Sequence, residues 1–415
     1  MMRFFKPIYK TVLTFMLAAL SIQTAYPAVQ SADSLRYRRS SLCSFLIKHN
    51  EDKFAQEIED QFLNIPIDGQ FNDHNLSIRV LNVQAKNDYA LSIANFIENN
   101  NIASRLVGKW FNRNVFTGEC DLNTVKQRGL YDASALDHEL ASRSSLGKAL
   151  LEDAGEDLIG RTYVLMNEIT YVDRGEQSAT WGAVGGIFAA ALGAGLGLDA
   201  DLSSALGNTT QALISSYKGF SVKIRTLLFR LVWDEQTANM FYTKHYGVTG
   251  DPNLSGTKMA FDLDRPNYRM EYVGEIISKG GKTSFLGISE EEPQLMIRKA
   301  CQRALEENIS DLQTKYEEFR IKSPIIAVEP EITAQIGLKE GVTPQSRFEV
   351  LETVEKNGKR EYKRVGVVRP VNGKIWDNRF MASEEGAYGA DFGHTTFKVE
   401  SGRNFYPGLL LRRMD

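Results

Sequence analysis

Two strand-like runs that flank a glycine-rich segment constrain this chain more than any other feature. The runs are TYVLMNEITYV (162–172) and FSVKIRTLLFRLVW (220–233), and both are rich in the β-branched and aromatic residues that favour strands. Between them lies WGAVGGIFAAALGAGLGL (181–198), which contains no charged residue. This pattern predicts two core strands of an α/β domain that are separated by a long apolar insertion of small residues (175–218).

The glycine-rich segment is the main candidate for a contact surface. The pairs Gly182/Gly186 and Gly193/Gly197 have the small-xxx-small spacing that lets helices approach closely. Three interpretations stay open: a helical hairpin packed on its own domain, self-association or contact with a protein partner, and insertion into a membrane. The candidate contact residues are Trp181, Gly182, Gly186, Phe188, Gly193 and Gly197.

The N-terminus has the pattern of a secretory signal peptide. A basic region precedes the apolar stretch TVLTFMLAALSI (11–22), and TAYPA (24–28) supplies small residues for cleavage. We therefore predict a signal peptide over 1–28, with an uncleaved anchor as the alternative. The first cysteine is Cys43, which disfavours a bacterial lipoprotein. The predicted location is the periplasm, the periphery of the outer membrane or the extracellular space.

Charge, cysteine content and motifs argue against a nucleic-acid-binding protein, a disulfide-rich protein and a phosphate-binding loop. The formal net charge is -3, which gives no case for binding nucleic acid through phosphate neutralisation. Cys43, Cys120 and Cys301 are too few for a disulfide framework and are expected to be buried as small apolar residues. GAVGGIF (182–188) lacks the lysine–serine pair of a phosphate-binding loop. We predict no cofactor, no metal site and no nucleic-acid partner.

Alternating strand and helix patterns before residue 322 predict an α/β (α+β) fold with a mixed sheet and flanking helices over 29–321. The predicted strands are 41–47, 76–83, 162–172, 220–233, 240–246, 258–264 and 268–277. The predicted helices are 52–63, 91–110 with ENNN (98–101) as a candidate break, the second half of 116–141, and 145–158.

The clearest helix follows Ser289, which forms a capping box with Glu292. Its apolar stripe should face the core and consists of Ile297, Cys301, Leu305, Ile309, Leu312, Tyr316 and Phe319. The opposite face carries Arg298, Gln302, Glu306, Lys315 and Glu318.

Residues 322–415 have strand and turn patterns without a helical run, which predicts a small C-terminal all-β domain, either a barrel or a sandwich. FEVLETVEK (348–356) and KREYKRVGVV (359–368) should form a hairpin, because Asn357-Gly358 favours a tight turn. Two more strands are predicted at 395–401 and 408–414. The loop 377–392 is expected to be the mobile part of this domain.

The order of these elements resembles that of the curli-type secretion-channel (CsgG-like) family. The resemblance is carried by IASRLVGKWFNRN (102–114), FTGECDLNTVKQRGL (116–130), DAGEDLIGRTYVLMNEITYV (153–172) and FSVKIRTLLFRLVWDEQTANMFY (220–242). AQIGLKEGVTPQSRFEVLE (334–352) resembles the small β-domain of the flagellar assembly protein T. The chain departs from the secretion channels because it has no lipid-anchor cysteine and its insertion does not alternate polar and apolar residues.

Residues with catalytic potential are few. Cys120 and His138 are the only candidates for a nucleophile and base, and their spacing does not require proximity. The acids that could converge are Asp262, Asp264, Glu271 and Glu275. The basic residues Lys356, Lys359, Arg360, Lys363 and Arg364 surround the predicted hairpin turn and are typical of a solvated hairpin tip.

We therefore expect a non-enzymatic protein of the bacterial cell envelope. The resemblance implies a homo-oligomer or an envelope protein partner, with a role in assembly or secretion through self-association or contact with the outer membrane. The alternative is a module that binds a polymer or a protein through its C-terminal β-domain.

Overall fold

A computed structural model describes residues 40–83, 89–131, 156–172, 221–278, 293–356 and 359–414. A mixed sheet organises the first part of the fold. Its strands are β1 (Ser41–Lys48), β2 (Asn72–Asp73), β3 (Val80–Asn82), β4 (Thr162–Tyr171), β5 (Val222–Leu231) and β6 (Met270–Ser278). The strand order is β2-β1-β4-β5-β6, and β3 also pairs with β1. β1 is parallel to β2, β3 and β4, whereas β4–β5 and β5–β6 are antiparallel. The predicted mixed sheet is confirmed.

Helices cover both faces of this sheet. They are α1 (Ala55–Leu63), α2 (Tyr89–Asn99), α3 (Ile102–Trp110), α4 (Asn123–Tyr131), α5 (Glu235–Met240), α6 (Leu254–Leu263) and α7 (Pro293–Lys315). One core contains Phe45, Trp110 and Phe261, so α3 and α6 lie on that face. A second core contains Phe62 and Cys301, so α1 and α7 cover the opposite face. Burial on both faces explains why β1 and β4 are almost continuously apolar.

Three predicted strands are wrong or shorter than expected. Residues 258–263 belong to α6, where Thr257 and Phe261 are buried at helical spacing while Leu263 is 74% exposed, and Asp264 caps the end of this helix. The alternating apolar residues of this segment therefore gave a false strand pattern. Residues 240–246 contain a π-helix (Phe241–His245) that follows α5 and buries Phe241 and His245. Within 76–83, only β3 is a strand.

The predicted break in the 91–110 helix is confirmed. α2 ends at Asn99 and α3 begins at Ile102, with Asn101 between them in the left-handed conformation (φ 51°). Asparagine tolerates this conformation better than most residues, because its short polar side chain hydrogen-bonds locally. The turn sets the direction of α3 across the sheet.

The long helix is confirmed over Pro293–Lys315, with a 3₁₀ turn at Glu317–Phe319. Its apolar stripe packs on the sheet, and Cys301 and Leu312 are fully buried. The polar face is also covered, since Lys299 and Glu306 are buried. The predicted capping box at Ser289 lies outside the described residues.

The C-terminal strands close into an antiparallel barrel rather than a sandwich. They are β7 (Ser323–Ala327), β8 (Ile332–Ala334), β9 (Phe348–Lys356), β10 (Lys359–Pro370), β11 (Thr395–Gly402) and β12 (Leu410–Arg413). Their order around the barrel is β10-β11-β8-β7-β12-β9. β9 and β10 form the predicted hairpin, with Lys356 opposite Lys359. The interior is apolar and includes Ile325, Val350, Val368, Phe397 and Leu411.

The polar face of α7 packs against the barrel. Arg303 Nε donates to the Phe380 carbonyl at 2.8 Å, and Lys299 and Arg303 both form ion pairs with Glu385. These contacts anchor one half of the 377–392 loop, whose mobility stays a prediction. Together the sheet, α7 and the barrel belong to one compact unit, residues 36–415.

Candidate functional site

The six predicted contact residues of the glycine-rich segment lie outside the described residues. These are Trp181, Gly182, Gly186, Phe188, Gly193 and Gly197. The described ends of the segment do meet, because Val172 N donates to the Ser221 carbonyl at 2.9 Å beside the β4–β5 pair. The segment therefore leaves and re-enters the sheet at one point.

The cysteine candidate has the environment of a core residue. Cys120 is 6% exposed, its Sγ lies 3.6 Å from the Gly118 carbonyl, and burial raises the pKa of its thiol. A raised pKa disfavours the thiolate that nucleophilic catalysis requires. His138 lies outside the described residues. As predicted, Cys43, Cys120 and Cys301 are buried, and none of them is in a disulfide.

The four predicted carboxylates do not converge. Asp262 forms ion pairs with Lys258 and Arg265. Asp264 Oδ2 lies 3.0 Å from His245 Nε2. On β6, the remaining two acids pair with cations of the neighbouring strand β5, in the pairs Glu271–Arg230 and Glu275–Arg225. Within the described residues, no group of three histidine, cysteine or acidic side chains could hold a metal ion.

His245 forms a buried polar link that the scattered histidines of the sequence did not indicate. Its Nδ1 lies 2.7 Å from the Tyr268 hydroxyl and its Nε2 lies 3.0 Å from Asp264 Oδ2. The side chain is fully buried, and burial lowers the pKa of His245 although Asp264 opposes this shift. Because no substrate reaches a fully buried ring, we assign this triad a structural role joining the π-helix to the end of α6.

The basic hairpin of the barrel is only partly described. Lys363 and Arg364 are exposed on β10. The side chains of Lys356, Lys359 and Arg360 lie outside the described residues. The interpretation of this basic cluster as a solvated hairpin tip stays a prediction.

A concave site lies beside α3. This α3 groove has a volume of about 640 Å³. One wall is the polar face of α3 and the turn before it, and the other comes from the loop after β2 and the end of α6. Its lining comprises Asn75, Leu76, Ser77, Asn99, Asn100, Asn101, Ser104, Arg105, Gly108, Lys109, Asn112, Arg113, Val115, Phe261 and Arg265.

Three cations of the α3 groove follow one another at four-residue spacing. Arg105, Lys109 and Arg113 therefore form a stripe along one side of the helix and its C-terminal extension. Arg265 adds a fourth cation from the opposite wall. No lining residue is acidic, so the groove has a positive potential.

The cations of the α3 groove differ in how far they are neutralised. Arg105 donates to Ser77 Oγ at 2.9 Å and Lys109 donates to the Asn75 carbonyl at 2.6 Å. Neither has a carboxylate within ion-pair distance in the described part of the chain. Arg113 and Arg265 share Asp262, at 3.8 and 2.6 Å.

Partial burial makes two of these cations sensitive to an added anion. Burial lowers the pKa of Lys109, with Asp73 opposing the shift, and burial lowers the pKa of Arg113, with Asp262 opposing it. A bound anion would replace part of the lost hydration, since an opposite charge stabilises the charged form of a buried group. Lys109 is therefore suited to an anionic ligand, whereas the Arg113 side chain is only 4% exposed and already faces Asp262.

An apolar loop stands at the rim of the α3 groove. Val115 is 68% exposed and lines the groove, and Phe116 beside it is 86% exposed. The Asn114 side chain accepts hydrogen bonds from Phe116 N and Thr117 N, which fixes the loop. Gly118 follows with φ +85°, a backbone conformation that favours glycine. A Cβ at this position would also lie only 2.7 Å from Lys258 Cβ.

Comparisons with known proteins give no relative for this chain: no family model and no curated protein matches it. None of the helices in the described ranges is both long enough and apolar enough to cross a membrane.

Proposed function

We propose that the protein is a non-enzymatic, exported binding protein of the cell envelope that holds an acidic polysaccharide in the α3 groove. The observation that carries the proposal is the pair Arg105 and Lys109, which have no carboxylate within ion-pair distance in the described residues and line a groove without an acidic residue. Cations recognise the acidic groups of such a polymer through charge-assisted hydrogen bonds.

The remaining lining of the α3 groove supports a sugar polymer over other anions. Side-chain amides of Asn99 and Asn101 and the hydroxyl of Ser77 offer both donors and acceptors, which suits vicinal sugar hydroxyls. The exposed ring of Phe116 at the rim offers an apolar face to a sugar ring. The volume of the groove, about 640 Å³, is far larger than a single small ion would fill.

The test measures binding of a soluble acidic polysaccharide, polygalacturonate, and of neutral dextran to the mature chain by calorimetry. The double variant R105Q/K109Q should bind polygalacturonate about tenfold more weakly, and added salt should weaken the unchanged protein similarly. Dextran should bind weakly to both proteins. The matched control is K363Q/R364Q, which removes the same charge from exposed positions on β10.

The proposal fails if both double variants lose affinity equally, because the effect would then follow net charge rather than the groove. It also fails if single-stranded DNA binds more tightly than polygalacturonate, or if neither polysaccharide binds. Thermal unfolding of each variant separates loss of binding from loss of fold.

Self-association through the glycine-rich segment is the second candidate function. It is supported by the uncharged run 178–198 and by the hydrogen bond between Val172 and Ser221, which places both ends of the segment at one point of the sheet. Native mass measurement of the mature chain with and without residues 178–218 tests it. An oligomer that becomes a monomer on deletion is expected, and a monomer in both cases contradicts it.

A further inference from the structure

Exposed apolar side chains are concentrated beside the α3 groove. Eleven large apolar side chains are exposed in the described residues, and five of them come from three short segments. These five form what we call the apolar patch: Val115 and Phe116, Val248, and Met259 and Leu263 of α6. Their exposed fractions range from 45% for Val248 to 86% for Phe116. A concentration of this kind marks an interaction surface.

The segments that carry the apolar patch are in direct contact with one another. Gly118 lies against α6, since a Cβ at this position would be only 2.7 Å from Lys258 Cβ. Cys120 N donates to the Gly247 carbonyl at 2.7 Å, which joins the same loop to the residue before Val248. The loop after α3 therefore links the other two segments to itself.

Helix α6 is apolar on its solvent side as well as on its buried side. Met259 and Leu263 are four residues apart, so they lie on one side of the helix, where they are 65% and 74% exposed. Phe261, on the other side, is buried in the core. A surface helix usually has polar residues opposite its core-facing side, so the solvent side of α6 is suited to a second apolar environment.

A closed turn holds Phe116 outward. Asn114 N donates to the Glu119 carbonyl and Gly118 N donates to the Asn114 carbonyl, both at 2.8 Å. The Asn114 side chain also accepts from Phe116 N at 2.8 Å. Because the turn is already ordered, burial of its tip costs little conformational entropy. A projecting apolar tip enters a lipid layer directly, whereas a protein partner would need a cavity of complementary shape.

Cations beside the apolar patch favour an anionic surface. Arg105 and Lys109 line the same groove as Val115, and neither has a carboxylate within ion-pair distance in the described residues. Two acids close to the patch have partners within the chain. Asp262 forms ion pairs with two cations, and Glu119 Oε2 lies 3.1 Å from a hydroxyl of the loop. The charge that is left unpaired beside the patch is therefore positive.

We propose that the apolar patch attaches the protein to the surface of an anionic lipid membrane. Val115 and Phe116 enter the boundary between headgroups and acyl chains, and Arg105 and Lys109 attract the anionic headgroups. Apolar side chains flanked by cations bind this boundary through burial and charge together. The inference does not rest on polysaccharide binding, because the vesicles that test it contain no sugar.

The test measures co-sedimentation of the mature full-length chain with lipid vesicles. One set contains phosphatidylcholine alone, and the other contains phosphatidylcholine with phosphatidylglycerol. The unchanged protein should bind the anionic vesicles about tenfold more tightly, and R105Q/K109Q should lose most of that preference. V115S/F116S should weaken binding to the anionic vesicles at least about tenfold, because it removes apolar area that the lipid buries.

A second measurement locates the tip of the loop. F116W places a tryptophan at the apex of the turn, and brominated lipids quench tryptophan fluorescence on contact. Brominated anionic vesicles should quench F116W more strongly than they quench the unchanged protein. Equal quenching of the two proteins would show that the loop stays outside the lipid, which overturns the proposal.

The matched control is Y388S/V399S, which removes an aromatic ring and a valine from exposed positions of the C-terminal domain. It should leave the affinity for vesicles within about twofold. The proposal is overturned if no vesicle binds the unchanged protein, or if V115S/F116S binds as tightly as the unchanged protein. It is equally overturned if V115S/F116S converts a dimer in solution into a monomer, because a second copy would then cover the patch. Thermal unfolding of each variant separates loss of attachment from loss of fold.

Discussion

Glu306 shows how burial changes a residue that the sequence places on the polar face of a helix. It is 8% exposed, and burial raises its pKa to about 7, with Lys339 opposing the shift and Asp68 adding to it. Its Oε1 lies beside Gln302 Nε2, and Gln302 Oε1 has no hydrogen-bond partner in the described part of the chain. A protonated Glu306 can donate to Gln302 after a flip of that amide, so the neutral acid suits this position.

Replacement of Glu306 by glutamine should make stability less dependent on pH. The folded pKa is raised from 4.5, so the contribution of Glu306 is fully present below pH 4.5 and is lost as the pH rises through about 7. E306Q does not titrate. Its free energy of unfolding relative to the unchanged protein should therefore be higher at pH 8 than at pH 4.5, by about 1–3 kcal/mol. Urea unfolding at both pH values measures the difference.

The control for this prediction is E51Q, at an exposed glutamate. Its stability relative to the unchanged protein should differ by less than about 0.5 kcal/mol between the two pH values. A pH-independent effect of E306Q would show that folding does not raise the pKa of Glu306.

At the scale of elements, the sequence predicts the buried strands and the long helix well. β1 and most of β4 are buried on both faces, and the stripe from Ile297 to Leu312 keeps one helical phase, so local pattern and tertiary burial agree. α6 was missed because Met259, Phe261 and Leu263 alternate like a strand, although only Phe261 is buried.

The α3 groove was not predicted because its sequence pattern is compatible with more than one structure. Arg105, Lys109 and Arg113 have a regular spacing, but cations at four-residue spacing are also typical of a solvated helix face. The groove appears only when Ser77 and Arg265, which lie far away in the sequence, form the opposite wall. The glycine-rich contact residues stay a prediction, since they lie outside the described residues.

A buried chain of polar side chains links three strands to α7. Asn308 Nδ2 donates to Thr226 Oγ1, which donates to Asn167 Oδ1, and Asn167 Nδ2 donates to Ser44 Oγ, each at 2.9 Å. Asn167, Thr226 and Asn308 are fully buried. Each hydrogen bond selects one register between neighbouring elements, because a shift by one residue would separate the partners.

T226V should lower the free energy of unfolding by about 2–4 kcal/mol, since it leaves groups on both Asn167 and Asn308 without a partner. Valine has the same shape as threonine, so the loss reports the hydrogen bonds rather than a cavity. The matched control is T170V on β4, at a half-buried position, and it should change the free energy by less than about 0.5 kcal/mol. If the two substitutions lower the free energy of unfolding in urea equally, these buried hydrogen bonds do not have the proposed role.

On the scale of the whole molecule, α7 is shared by the sheet and the barrel. Its apolar stripe contributes Cys301 and Leu305 to the core against the sheet, while Lys299, Arg303 and Glu306 face the barrel loop. Because α7 packs against both the sheet and the barrel, we expect unfolding of one to destabilise the other.

Removal of the Glu385 carboxylate tests whether the two layers unfold together. The Lys299 side chain is fully buried and Arg303 is 13% exposed, so E385Q leaves buried cationic groups without this counter-ion and should destabilise the protein by about 2–4 kcal/mol. The adjacent exposed Glu384 provides the matched control E384Q, which should have little effect. Hydrogen exchange should show the same loss of protection in β4 of the sheet and in β10 and β12 of the barrel, because α7 couples them. If only residues 377–392 exchange faster in E385Q, the ion pairs anchor the loop alone, and the sheet and the barrel are independent folding units.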